Sequence, residues 1–150
     1  MKHVSVLLLL AAAALGGCTR DNAPTRPPAP WFTIGRGPAG YTSVDTSRIV
    51  PDGPRRLVWV RTDYLMPDSA PRVPGRVVRT LETRHRLDCG ARTTGEMETI
   101  LRDNAGAQIG GAKKPAAESR PFAAYPNGAT IFPFVCNAIS IADRHRRQGR

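Results

Sequence analysis

The side chains best suited to chemistry in this chain are two thiols, Cys89 and Cys136, and one imidazole, His85. A third cysteine, Cys18, and two more histidines, His3 and His145, complete the set. Thiols can pair, hold metal or attack carbonyls, and an imidazole can move protons or ligate. The spacing removes most of these options. No Cys-x-x-Cys and no flanking His pair offers a zinc donor set, so no metal and no other cofactor is expected. No Gly-x-Ser-x-Gly, His-Glu-x-x-His or phosphate-loop pattern occurs. Ser47 and Asp45 are too local to form a triad without a credible base. Glu96 and Glu98 would share a strand face opposite Arg84 and Arg86, an arrangement for surface ion pairs rather than for an acid–base couple. Together these readings argue against an enzyme.

The remaining chemistry of the thiols depends on compartment, which the N-terminus addresses. Met1-Lys2-His3 is a short basic start, and Val4 to Leu15 is an apolar run too short to anchor as a bilayer span but suited to a signal segment. It ends Leu15-Gly16-Gly17-Cys18, which resembles a bacterial lipobox. Small residues there give the peptidase access. The Cys18 thiol then takes a diacylglyceryl group, and its freed amine takes a further acyl chain such as palmitate. More than one chain gives lasting attachment. Thr19, rather than Asp, follows the cysteine, which implies the outer membrane, facing either the periplasm or the outside. Residues 1–17 are thus read as a lipoprotein signal peptide.

Lipidation of Cys18 leaves two thiols in an oxidising compartment, where pairing is favoured over free or metal-bound forms. Cys89 and Cys136 are 47 residues apart. Closing so long a loop stabilises by about 4 kcal/mol in the chain-entropy account. The formal net charge is +10, of which a cleaved leader removes only Lys2. Such a balance suits acidic surfaces, either glycans or lipopolysaccharide; it also serves simple solubility. The candidate contact residues are Arg72, Arg76, Lys113, Lys114, Arg144, Arg146, Arg147 and Arg150, all on segments expected to be loops or tail.

The elements that position these residues follow from periodicity. Thr83, His85, Leu87 and Cys89 alternate with Arg84, Arg86 and Asp88, the pattern of a strand with one dry and one wet face. His85 lies on the dry side, as a hydrogen-bonded core histidine. This strand is expected to run from Val77 to Cys89. Residues 18–40 read as the lipidated cysteine and a proline-rich tether, although Trp31 to Ile34 also suits a first strand. The domain itself is placed at 41–142. Tyr41 to Asp45 is a short strand, and Asp45 caps one helical turn. Pro51 to Pro54 is a turn, and Arg56 to Asp63 is a strand buried on both faces. Glu96 to Arg102 and Ala107 to Ile109 form a strand, turn and return strand. Ala129 to Ile141 reads as a short helix with Thr130 as its cap and Pro133 in its first turn, with a strand as the alternative. Residues 143–150 are a basic tail.

The order of these features resembles a known family. Val44-Asp45, Ser47-Arg48-Ile49, a turn, then Leu57-Val58-Trp59-Val60-Arg61 are similar to the opening of the surface-adhesin protein E-like family of bacterial lipoproteins. Leu87-Asp88-Cys89 resembles its central cysteine strand. Arg102-Asp103-Asn104-Ala105-Gly106 resembles its strand and turn, with Arg102 where an aromatic is usual. Pro126-Asn127-Gly128-Ala129 resembles the turn before its last cysteine, with Asn inserted and Ala in place of Ser. The resemblance spans about residues 41 to 138. It implies an α+β fold: a small antiparallel sheet with one short C-terminal helix packed on it, stapled by one disulfide. It also implies a binding module for host matrix or serum proteins; a structural or assembly accessory of the envelope stands as the alternative. No specific nucleic acid is expected as partner, and the oligomeric state is left open, a dimer included. No functional residue carries over from the family.

Overall fold

The computed structural model describes residues 30–66, 68, 70–114 and 118–137. Eight strands form one antiparallel sheet: β1 (Trp31–Gly37), β2 (Gly40–Asp45), β3 (Val50–Asp52), β4 (Arg55–Tyr64), β5 (Thr80–Asp88), β6 (Thr93–Arg102), β7 (Gln108–Lys113) and β8 (Arg120–Pro121). The main path runs β1-β2-β4-β5-β6-β7, with β3 added to β4 and β8 to β6. Residues 128–137 form a helix, α1.

Alternation decides which residues meet. Val44, Val60 and Thr83 share one row of the helix-side face, as do Val58 and His85. There Val44, Val58, Val60 and Leu87 are buried against Ile131, Phe132 and Val135 of α1 and against Phe122. A second cluster on the same face joins Tyr64, Ala70 and Val78 beneath the 65–79 loop, with Leu81 and Leu101 beside them. α1 starts only at residue 128, and Ala70 and Val78 of the loop cover the far end of the face. The Cys89–Cys136 disulfide ties the end of β5 to α1, with Cα atoms 5.9 Å apart, a normal separation for such a bridge.

Asp45 caps the turn Thr46–Arg48 as the sequence suggests, accepting from the Ser47 and Arg48 amides. Several expectations need correction. Residues 31–37, assigned to the tether, are β1, in register with β2 from Trp31↔Asp45 to Gly37↔Gly40. The folded unit therefore includes Trp31, and the boundary is not at Tyr41. β5 begins at Thr80 rather than Val77, because Val77 is exposed and the chain before it makes its own Val73–Arg76 bridge. The helix begins at residue 128, so Thr130 is no cap: its amide donates to the Asn127 carbonyl at 3.0 Å. Pro133 thus lies past the first turn, where its ring nitrogen cannot bond the Ala129 carbonyl; Ala129 is exposed, so water can serve that group. The early start depends on Gly128, since a Cβ there would sit 2.1 Å from the Phe122 carbonyl oxygen. The signal segment, Cys18, the rest of the tether and the tail beyond residue 142 lie outside the described residues.

Candidate binding surfaces

His85 belongs to the core. It is 5% exposed, and its ring meets the rings of Tyr125 and Phe132 edge-on at 5.4 and 5.2 Å. Its Nδ1 lies 3.4 Å from the Thr94 hydroxyl. Burial lowers its pKa to about 4, so the ring is neutral at ordinary pH. Among the described residues no group of three His, Cys, Asp or Glu side chains is placed to hold a metal.

The carboxylate pair behaves differently from its sequence reading. A bulge in β6 shifts the register between Arg84 and His85, so Arg84 faces Glu98 while His85 faces Glu96. Glu96 therefore lies on the helix side and Glu98 on the opposite side. Glu98 pairs with Lys113 at 3.3 Å and Glu96 with Lys114 at 3.5 Å. Arg86 donates instead to Asp52 at 2.6 Å. The two lysines singled out as contact residues are thus already engaged. Arg72 and Arg76 are exposed on the 65–79 loop. Arg144, Arg146, Arg147 and Arg150 lie outside the described residues.

The face away from the helix carries a surface that sequence reading missed. The Arg48 guanidinium lies 5.5 Å from the Trp31 ring and 5.2 Å from the Trp59 ring. Arg61 lies 5.8 Å from Trp31. Beneath them sit buried carboxylates. Arg61 forks onto Asp63, with Nη2 to Oδ1 at 2.7 Å, and the Thr80 hydroxyl donates to the same oxygen at 3.0 Å. Arg102 donates to Glu82 at 3.2 Å. Burial works to raise the Asp45 pKa, but hydrogen bonds from Ser47 and Arg48 outweigh it and hold the carboxyl below its usual value. The available signal was Trp59, Arg61 and Asp63 alternating along β4, where Arg61 and Asp63 pair with each other; Trp31, Arg48 and Thr80 come from other segments.

On the helix side, a cleft of about 380 Å³ opens between α1 and the covered far end of the sheet. Thr42, Val60, Thr62, Leu81 and Thr83 form its floor. Tyr125, Asn127 and Phe132 flank it on the helix side, and Pro38, Ala39 and Tyr64 on the other. Asn127 Nδ2 donates to the Thr42 hydroxyl at 3.1 Å, linking the helix start to β2. Gly40 lets the β1–β2 turn approach β4, since a Cβ there would lie 2.0 Å from the Asp63 carbonyl oxygen.

No functionally described protein matches this chain by sequence. Among solved structures, the second crystal form of Haemophilus influenzae protein E superposes with a TM-score of 0.56 at 12% identity, covering 77% of this chain and 94% of that one. Protein E from a non-typeable strain gives 0.46 at 14% identity, covering 65% and 67%. The first of these likenesses is one of fold. The profile of surface-adhesin protein E matches residues 31–137, from the first residue of β1 to the last described residue of α1. The chain belongs to the surface-adhesin protein E family.

Proposed function

We propose that this chain is an exported lipoprotein, anchored to the bacterial outer membrane through Cys18, whose domain is a non-enzymatic, adhesin-like binding module. The observation that carries this reading is the family match, which begins at Trp31, directly after the proline-rich run that follows the lipobox. The ligand is a host matrix protein or an acidic glycan, met by cationic side chains on loops. Arg72 and Arg76 are the best described candidates, because both are exposed and Lys113 and Lys114 are paired with carboxylates. Arg144, Arg146, Arg147 and Arg150 extend the same charge beyond the described residues.

The test uses the full chain in vesicles, passed over immobilised heparin and over matrix protein at rising salt. Retention at low salt that fades as the screening length falls to about 10 Å at 0.1 M and below supports the reading. Arg72→Glu with Arg76→Glu should weaken it, and Cys18→Ala should release the chain from the vesicle. No retention at low salt on either surface, with co-purification of an envelope complex, favours an assembly accessory instead. Mass spectrometry of the mature N-terminus checks the acylation of Cys18 independently.

A further inference from the structure

The cleft beside α1 has a chemistry unlike the rest of the molecule. The chain carries a net charge of +10, yet among the described residues no Lys or Arg lines this cleft. Among the described residues Glu96 is the one formal charge in the lining, and Lys114 balances it. His85 is neutral there because it is buried. Sulfate, phosphate and carboxylate groups therefore find no counter-charge inside, and a cation finds a carboxylate already partnered. What the cleft offers is hydroxyl groups. Among the described residues, the side-chain hydroxyls of Thr62, Thr83, Tyr64 and Tyr125 make no hydrogen bond, and no buried side-chain polar atom is left unsatisfied, so each keeps some contact with solvent. Burial raises the pKa of both tyrosines, so both phenols stay protonated and can donate as well as accept. The Asn127 carboxamide, held by its bond to Thr42, adds an acceptor at the rim. The partly exposed Tyr125 ring supplies an aromatic wall. At about 380 Å³ it falls at the small end of ligand sites, near one ring rather than an extended molecule.

We propose that this cleft binds a single neutral saccharide ring of a partner's glycan. Its hydroxyls are met by Thr62, Thr83, Tyr64 and Asn127, and its apolar face lies toward Tyr125. A pyranose presents the same mixture the cleft presents: several hydroxyls around the rim and a C–H face that suits an aromatic wall. The proposal rests on the reading of the domain as a binding module and names a ligand class for it. It is separate from the charged loops, because its contacts are neutral and insensitive to screening.

The experiment is saturation-transfer NMR on the purified full chain in a detergent without a sugar headgroup. The probes are the methyl glycosides of glucose, galactose, mannose and N-acetylglucosamine. At least one is expected to receive saturation, with affinity unchanged up to about 0.5 M salt. Thr62→Val combined with Thr83→Val should weaken it by about three- to tenfold per lost hydrogen bond. Tyr64→Phe removes one of the proposed hydroxyl contacts while keeping the ring, and serves as a milder second variant if the threonine pair fails to fold. Absence of saturation transfer with all four probes overturns the proposal, as does binding that the folded variants leave unchanged. Loss of salt-sensitive retention on heparin and matrix protein, with sugar binding intact, overturns the loop reading and leaves this one standing; the reverse outcome does the opposite.

Discussion

The two faces of the sheet are buried by different means. On the helix side, Val44, Val58 and Leu87 are fully enclosed by Phe132, Val135 and Ile131, and the disulfide holds the cover in place. On the other side no helix is laid down among the described residues, yet Ser43, Asp45 and Asp63 are almost as inaccessible. They are covered by arginine and tryptophan side chains, whose stems and rings exclude water while the charges pair underneath. One face is stabilised by removing apolar surface from water. The other is stabilised by charge-assisted hydrogen bonds that must remain complete, because an unpartnered buried carboxylate costs more than a made pair contributes. The difference teaches where each kind of damage should register.

The largest effect is expected from Phe132→Ala, which removes a ring that is 1% exposed and meets both His85 and Phe122. Urea unfolding should show a loss of about 3–5 kcal/mol. A smaller loss would mean that the helix and loop can close over the gap. Reducing or replacing the bridge comes next: Cys89→Ser should cost about 2–5 kcal/mol and leave the opposite face's ion pairs as they are. Comparing unfolding curves with and without reductant checks it, and coincident curves would refute a contribution from the bridge.

Acidification should separate the faces. His85 has its pKa lowered from 6.5 to about 4 in the folded state, so the unfolded chain binds more protons between those values. Its neutral ring contributes stability that is present above pH 6.5 and is lost as pH falls toward 4, by about 3 kcal/mol in all. Asp45, held below its ordinary 3.8, contributes stability above that value and loses it only as pH falls through the lowered one. The helix side therefore gives way first. His85→Leu should flatten the stability profile between pH 6.5 and 4, and an unchanged slope there would rule out His85 as its source. The smallest effect is expected for Asp63→Asn, which weakens the Arg61 fork but keeps a hydrogen-bonding group; about 1–2 kcal/mol is expected, since Arg61 retains some access to water. A loss as large as that of Phe132→Ala would mean that the two faces contribute alike.

What the sequence by itself determined was local. The alternation from Thr83 to Cys89 identified a strand and put His85 on its dry side, because side-chain direction in a strand depends only on the parity of position. Asp45 identified its own cap, because that bond closes over two or three residues. Two thiols remaining after Cys18 left one pairing to make. Tertiary structure decided the rest. A single extra residue in β6 separates Glu96 from Glu98 and sends each to a lysine instead of an arginine, and a bulge is invisible until two strands are laid side by side. Trp31, Arg48, Trp59 and Arg61 come from three segments and meet only through the β1-β2-β4 order. The cleft opens where α1 begins, at Gly128, beside Thr42 and Thr83. Its floor was legible only as scattered threonines, since hydroxyls distant in sequence become one surface when strand register aligns them.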